Sequence, residues 1–192
     1  MPDFYSQFQS YTLGNGIPVR QLQIKDRPSQ IVGFAFFAGN YHTRHQPGLA
    51  HFSEHILAGA AGSHQLNKEL REEAGYLLGG GGTTYNYSSM YGFSLPARNA
   101  RLAPLIKRFR EYLFENKLEY DLEGEKGPFT SEYKLAFGNK RTYARNQIGY
   151  HALRRGHWRT PTIAFGSPES IQGFTKEAVV DFCRNHYRPD NL

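Results

Sequence analysis

The alternation of apolar and polar positions divides the chain into short strands and amphipathic helices. Tyr11-Thr12-Leu13 and Val19 to Ile24 flank Asn15-Gly16, a pair that tolerates positive φ, so the opening segment reads as a hairpin. After a polar turn over Asp26 to Gln30, the run Ile31-Val32-Gly33-Phe34-Ala35-Phe36-Phe37 reads as a buried strand, apolar on both faces. Ala38 to Pro47 is a loop. A helix begins near Gly48 and ends before Gly59 or Gly62, and a second spans Leu66 to Leu78 with Leu66, Leu70, Ala74 and Leu77 on one side. Four glycines, Gly79 to Gly82, are too flexible for a strand interior but allow another backbone to approach. Thr83 to Leu95 then alternates as one half-exposed strand, with Tyr85, Tyr87, Ser89, Tyr91, Phe93 and Leu95 opposite Asn86, Ser88, Met90 and Ser94.

The second half is richer in helix signals. Arg101 to Phe114 places Leu102, Leu105, Ile106, Phe109 and Leu113 on one stripe, with Lys107, Arg108 and Arg110 opposite. An acidic stretch follows from Glu119 to Glu132. On a continuous helix Glu125 and Glu132, two turns apart, share a face, but Pro128 lies between them and is expected to kink or restart it. Tyr143 to Leu153 reads as helix and Trp158 to Gln172 as an irregular connection. Thr175 is an N-cap for a last helix, Lys176 to His186, stopped by Pro189.

Composition narrows the class. With 192 residues, 39% hydrophobic and 15% aromatic, the chain can bury a core. No apolar run is long enough to span a membrane, and Met1 to Ser6 shows no signal or transit pattern. Cys183 is the single cysteine, so no internal disulfide forms, a reducing, cytoplasmic compartment is allowed, and a zinc site would draw on His and carboxylate. The net charge of +6 is concentrated over residues 98–110 and 134–159. Arg154 to Arg159 is the densest basic and aromatic cluster, but no nucleic-acid motif surrounds it, and solvated helix faces explain the charge. The glycine run lacks the Lys-Ser/Thr of a phosphate loop.

The segment with chemistry is Gly48-Leu49-Ala50-His51-Phe52-Ser53-Glu54-His55. Four residues are slightly more than one helical turn, so His51 and His55 stack on one face and can grip a single metal ion, for which zinc is the usual occupant. Glu54 lies off that ray, yet within reach of a water held at the metal, where a general base belongs. The bland alternative is two helix histidines with satisfied nitrogens and one solvated charge. His42 and His45 fall in the preceding loop, where they either supplement a metal site or are polar surface.

The order of these parts resembles the N-terminal catalytic domain of the insulinase/pitrilysin family of inverted zincins, whose signature is an H-x-x-E-H helix. Tyr11 to Val19 looks like the family's opening hairpin, Gly48 to Leu57 like its zinc helix, and Thr175 to Leu192 like the stretch before its final strand, which this chain lacks. The resemblance implies an α+β fold, a mixed, largely antiparallel sheet with helices packed on one face. It implies that a glutamate 77 positions beyond the second histidine, here Glu132, completes the zinc site, and that Glu125, seven residues earlier, orients it. It further implies a Zn2+-dependent endopeptidase in which Glu54 activates a zinc-bound water. An unfolded peptide would add as a β-strand along Gly81-Gly82-Thr83-Thr84, where relatives often read Asn-Ala-x-Thr. Family members are clamshells of two such halves, the second supplying an Arg/Tyr pair that helps hold substrate. Residues 1–192 correspond to one half, so a homo- or heterodimeric partner half is expected, with neither nucleic acid nor membrane as a partner. A non-catalytic scaffold subunit on the same fold is the competing reading.

Overall fold

A row of alternating large side chains on two strands, Phe34 and Phe36 on one and Tyr91 and Leu95 on the other, forms the wall against which the rest of the chain packs. The computed structural model describes residues 7–58, 79–96, 107, 121–141, 144, 148 and 164–192. Strands β3 (Ser29–Phe36), β4 (Gly79–Thr84) and β5 (Ser89–Pro96) form an antiparallel sheet in the order β3-β5-β4. Its register pairs Gly33 with Gly92 and Gly92 with Gly81. Helix α1 (Leu49–Ala58) lies against the inner face through Leu49, Ala50, Phe52, Ile56 and Leu57. Helices α2 (Leu122–Gly138), α3 (Pro168–Gln172) and α4 (Lys176–His186) complete the core with Phe129, Ile171, Val179, Phe182 and Cys183. The architecture is therefore α+β, mixed helix and antiparallel sheet, and the sheet is open. Among the described residues no helix is long and apolar enough to cross a membrane.

Several elements follow the sequence pattern. The hairpin forms as β1 (Gln9–Thr12) and β2 (Pro18–Gln21), a separate two-stranded sheet, with positive φ at Gly16 but not at Asn15. Thr175 caps α4 by accepting from the Ala178 amide.

Five expectations are corrected. Gly79 to Gly82 is a strand, because pairing with β5 supplies the order that glycine lacks intrinsically. The alternation from Thr83 to Leu95 is two strands folded back at Tyr85 to Ser88, where the Tyr85 amide donates to the Ser88 carbonyl at 2.7 Å. β3 is not buried on both faces: Ile31 is 80% exposed, because α1 covers only the face that carries Phe34 and Phe36. Helix α2 runs on through Pro128, which forgoes one backbone bond while the buried Glu125 and Phe129 anchor the helix on either side of it. The connection before α4 also contains α3, capped by Ser167. The helices expected over 66–78 and 101–114, and most of that over 143–153, lie outside the described residues.

Candidate metal centre

Helix α1 starts at a position only glycine fits. Gly48 has φ +90°, and a Cβ there would sit 2.5 Å from the carbonyl carbon of Phe165. From that fixed start His51 and His55 follow one turn apart, their ring centroids separated by 4.9 Å at an interplanar angle of 78°. Phe52 and Ile56, each the next residue round the helix, are buried, so the two imidazoles cannot turn away by rotation of α1.

Helix α2 brings the carboxylates to them. Asp121 caps it, accepting from the Gly124 amide at 2.8 Å. Lys126 ties it to the end of α3, its Nζ donating to Glu123 Oε1 at 2.8 Å and to the Gln172 carbonyl at 3.0 Å. Glu132 then places Oε2 2.9 Å from His55 Nε2 and Oε1 3.9 Å from His51 Nε2. One nitrogen or oxygen from each of His51, His55 and Glu132 lies within 4.8 Å of the others. Glu125, 1% exposed, accepts from His55 Nδ1 at 2.9 Å. The face shared by Glu125 and Glu132 is thus the face turned to the histidines.

Electrostatics in the cluster follow burial and proximity. Burial, then the neighbouring His55, lowers the His51 pKa to about 4. Burial alone would lower that of His55 as well, but the Glu125 hydrogen bond and the charges of Glu54, Glu132 and Glu125 outweigh it, and the net shift is upward. Glu54 is pushed up to about 7, chiefly by burial, with Glu132 and Glu125 adding and His55 and Thr84 opposing. His55 Nε2 and Glu132 Oε2 stand at hydrogen-bond distance. A divalent cation bound between them would displace any proton held there, as binding at His and carboxylate ligands requires. Two imidazoles and a carboxylate are a donor set suited to zinc with a position left open.

Around Glu54 the structure divides the glycine-threonine segment in two. A Cβ at Gly82 would lie 2.7 Å from Glu54 Cγ, so the missing side chain makes room for the carboxylate. Thr84 Oγ1 donates toward Glu54 Oε2 at 3.5 Å and is 3.3 Å from Ser89 Oγ, which donates to the Ala38 carbonyl and accepts from Tyr187 OH at 3.3 Å. Gly81 and Thr83, one residue off in register, are exposed on the outer face. His42 is not part of the cluster: its Nδ1 accepts from the Gly39 amide at 3.0 Å, and its ring packs on His186. His45 likewise lies outside the cluster.

Sequence reasoning missed Phe129 and Phe165, whose rings flank His51. Phe129 could have been found, since it falls between Glu125 and Glu132 on the same helix face. Nothing in the sequence signals Phe165.

No family model and no curated protein sequence matches the chain. Solved structures do. The periplasmic protease PqqL from Escherichia coli matches at a TM-score of 0.76 and 17% identity, over 96% of this chain and 21% of that one. A peptidase M16 inactive domain from Pseudomonas fluorescens matches at 0.71 and 17%, over 92% and 42%. A protein from Bordetella pertussis named as a zinc protease matches at 0.65 and 13%, over 88% and 93%. The chain thus spans less than half the length of the first two. These likenesses define the class of fold, that of M16, pitrilysin-type peptidase domains. The fold is shared by proteases and by an inactive domain alike, so the chemistry must be argued from the site.

Proposed function

We propose that this chain is the zinc-binding, catalytic half of an endopeptidase that cleaves unfolded peptides, with residues 1–192 forming a single metallopeptidase-like domain. The observation that carries the reading is the return of Glu132 to within 2.9 Å of His55 Nε2, closing a three-donor cluster with His51. His51, His55 and Glu132 hold the ion, and Glu125 fixes the orientation of His55 through Nδ1. Zinc, when bound, supplies Lewis acidity and makes a water acidic near neutral pH. Glu54 takes the proton of the attacking water and passes it to the amine nitrogen of the leaving product. A carboxyl held near pKa 7 can do both at neutral pH. The β4 edge, beside Glu54, offers backbone groups to a peptide that adds as a strand, giving affinity with little demand on sequence. A second half, identical or different, encloses the substrate.

The alternative, a non-catalytic subunit, draws support from the inactive domain that shares the fold. The two separate by zinc content and by cleavage of a quenched peptide by wild type and Glu54→Gln. The variant is expected to retain zinc and lose hydrolysis by 10²–10⁴-fold, the range typical of a general base. Equal cleavage by both proteins removes Glu54 from its role. A wild type that neither binds zinc nor cleaves leaves the scaffold reading.

A further inference from the structure

The two histidines are held by different means. His55 Nδ1 meets the buried Glu125 carboxylate at 2.9 Å, the kind of partner that fixes the ring and tautomer of metal-binding histidines. His51 has no carboxylate in that role; apart from the metal-side groups, its polar neighbour is the Ala164 backbone. Its ring instead lies between two phenyl rings, Phe129 at 5.0 Å and Phe165 at 4.7 Å between centroids, both at an interplanar angle of 67°. Edge-to-face contacts of this kind are directional.

Both phenyl rings are themselves fixed. Phe129 is fully buried and meets Phe52 at 5.3 Å. Phe165 sits on a turn whose backbone interlocks with the start of α1. Gly48 backs onto the Phe165 carbonyl and Gly166, at φ +69°, onto the Pro47 carbonyl, so closely that neither position admits a Cβ. The same contact therefore sets where α1 begins and where the Phe165 ring stands over His51. Phe165 also meets Phe129 at 5.5 Å, closing the pair around the imidazole.

We propose that Phe129 and Phe165 form an aromatic clamp that positions His51 for the metal, Phe129 meeting both imidazoles and Phe165 closing over His51 beside its Ala164 backbone contact. The inference rests on the zinc reading above and adds two positioning residues to it. With the ring held there, Nε2 is the nitrogen that faces Glu132 and Glu54.

The test uses the full chain, with zinc affinity measured by chelator competition well below the melting temperature. Phe165→Leu keeps the apolar volume and removes the ring; it is expected to weaken zinc binding about tenfold, the low end of the loss seen for orienting partners. Phe165→Tyr restores the ring and with it wild-type affinity. Cobalt(II)-loaded Phe165→Leu is expected to show altered visible bands, because the geometry at one ligand has loosened. Wild-type zinc affinity and cobalt spectrum in folded Phe165→Leu would overturn the clamp while leaving the zinc site standing. A wild type that binds no zinc overturns both. Should Phe165→Leu fail to fold, imidazole 15N–1H spectra of the wild type decide: His51 is expected as a single tautomer with ring-current-shifted protons, and an averaged, unshifted ring refutes the proposal.

Discussion

Gly82 is the residue on which the position of Glu54 depends most directly. A Cβ built there lies 2.7 Å from Glu54 Cγ and 2.8 Å from Cδ, with Oε1 closer still. Carbon atoms in contact stand about 3.5–4.0 Å apart, so Gly82→Ala must drive the Glu54 side chain back by roughly 1 Å. Glu54 is 6% exposed, and a shift of that size pulls it from its contact with Thr84. A displacement of roughly 1 Å at reacting groups costs on the order of 10²-fold in rate, or about 2.7 kcal/mol of barrier. Stability should change little, because replacing a strand glycine gains roughly 0.5–1 kcal/mol that offsets part of the clash. The three atoms nearest that Cβ all belong to Glu54 and none to His51, His55 or Glu132, so zinc should stay. The assay is cleavage of a quenched peptide by the assembled, zinc-loaded protein. A fall of about 100-fold in kcat/KM at unchanged zinc stoichiometry is expected. Placed in a Glu54→Gln background, Gly82→Ala should cost almost nothing further, since groups acting in one step are not additive. Wild-type turnover by Gly82→Ala refutes the reasoning. A further 100-fold loss on top of Glu54→Gln refutes it differently, by showing that Gly82 serves the substrate backbone and not the base.

Three other outcomes follow from the same geometry. Glu125→Gln keeps the shape but removes the charge on His55 Nδ1, and should weaken zinc binding about 10–100-fold by chelator competition; unchanged affinity would deny Glu125 its orienting role. Glu54, raised from 4.5 to about 7 in the fold, opposes folding only once ionised, so the penalty is absent below pH 4.5, grows as pH rises to about 7, and levels at on the order of 3 kcal/mol. The metal-free Glu54→Gln chain should accordingly melt higher than metal-free wild type above pH 7 and with it near pH 4, and parallel melting curves across that range would contradict the assignment. Size-exclusion with light scattering should find the active species larger than one copy of this chain, and a fully active monomer would remove the partner half from the proposal.

What could be read in advance depended on how local the determining interaction is. His51, Glu54 and His55 are placed by helix periodicity alone; the same rule puts Glu125 and Glu132 on one face of α2, but their assignment to the histidines comes from the family resemblance. The glycine strand was misjudged because propensity describes an isolated segment, whereas Gly82 is held by β5 on one side and by the Glu54 carboxylate above it. Ile31 was read as buried because the run around it is uniformly apolar; which face of the strand meets α1 is a property of the sheet, not of the run. Thr84 was assigned to substrate on position alone, and its hydroxyl is aimed at Glu54 Oε2. Phe165 is the extreme case. Its place over His51 is set by backbone contact with residues more than a hundred positions earlier, and no spacing encodes that.

The centre is built on one helix and closed by another, and the two contribute unequally. α1 is packed along its length by Leu49, Ala50, Phe52, Ile56 and Leu57, so its histidines have the rigidity of the core. α2 is docked through Glu125, Lys126 and Phe129, in its first half, and the Glu132 side chain further along remains 45% exposed. Exposure makes Glu132 the donor that water reaches first and the only one of the three free to swing without disturbing packing. On the zinc reading proposed above, metal would enter and leave on the Glu132 side while the imidazole pair stays formed. A strain introduced at the docking contacts of α2 should register first as loss of the carboxylate donor, with His51 and His55 still in place to hold the ion weakly.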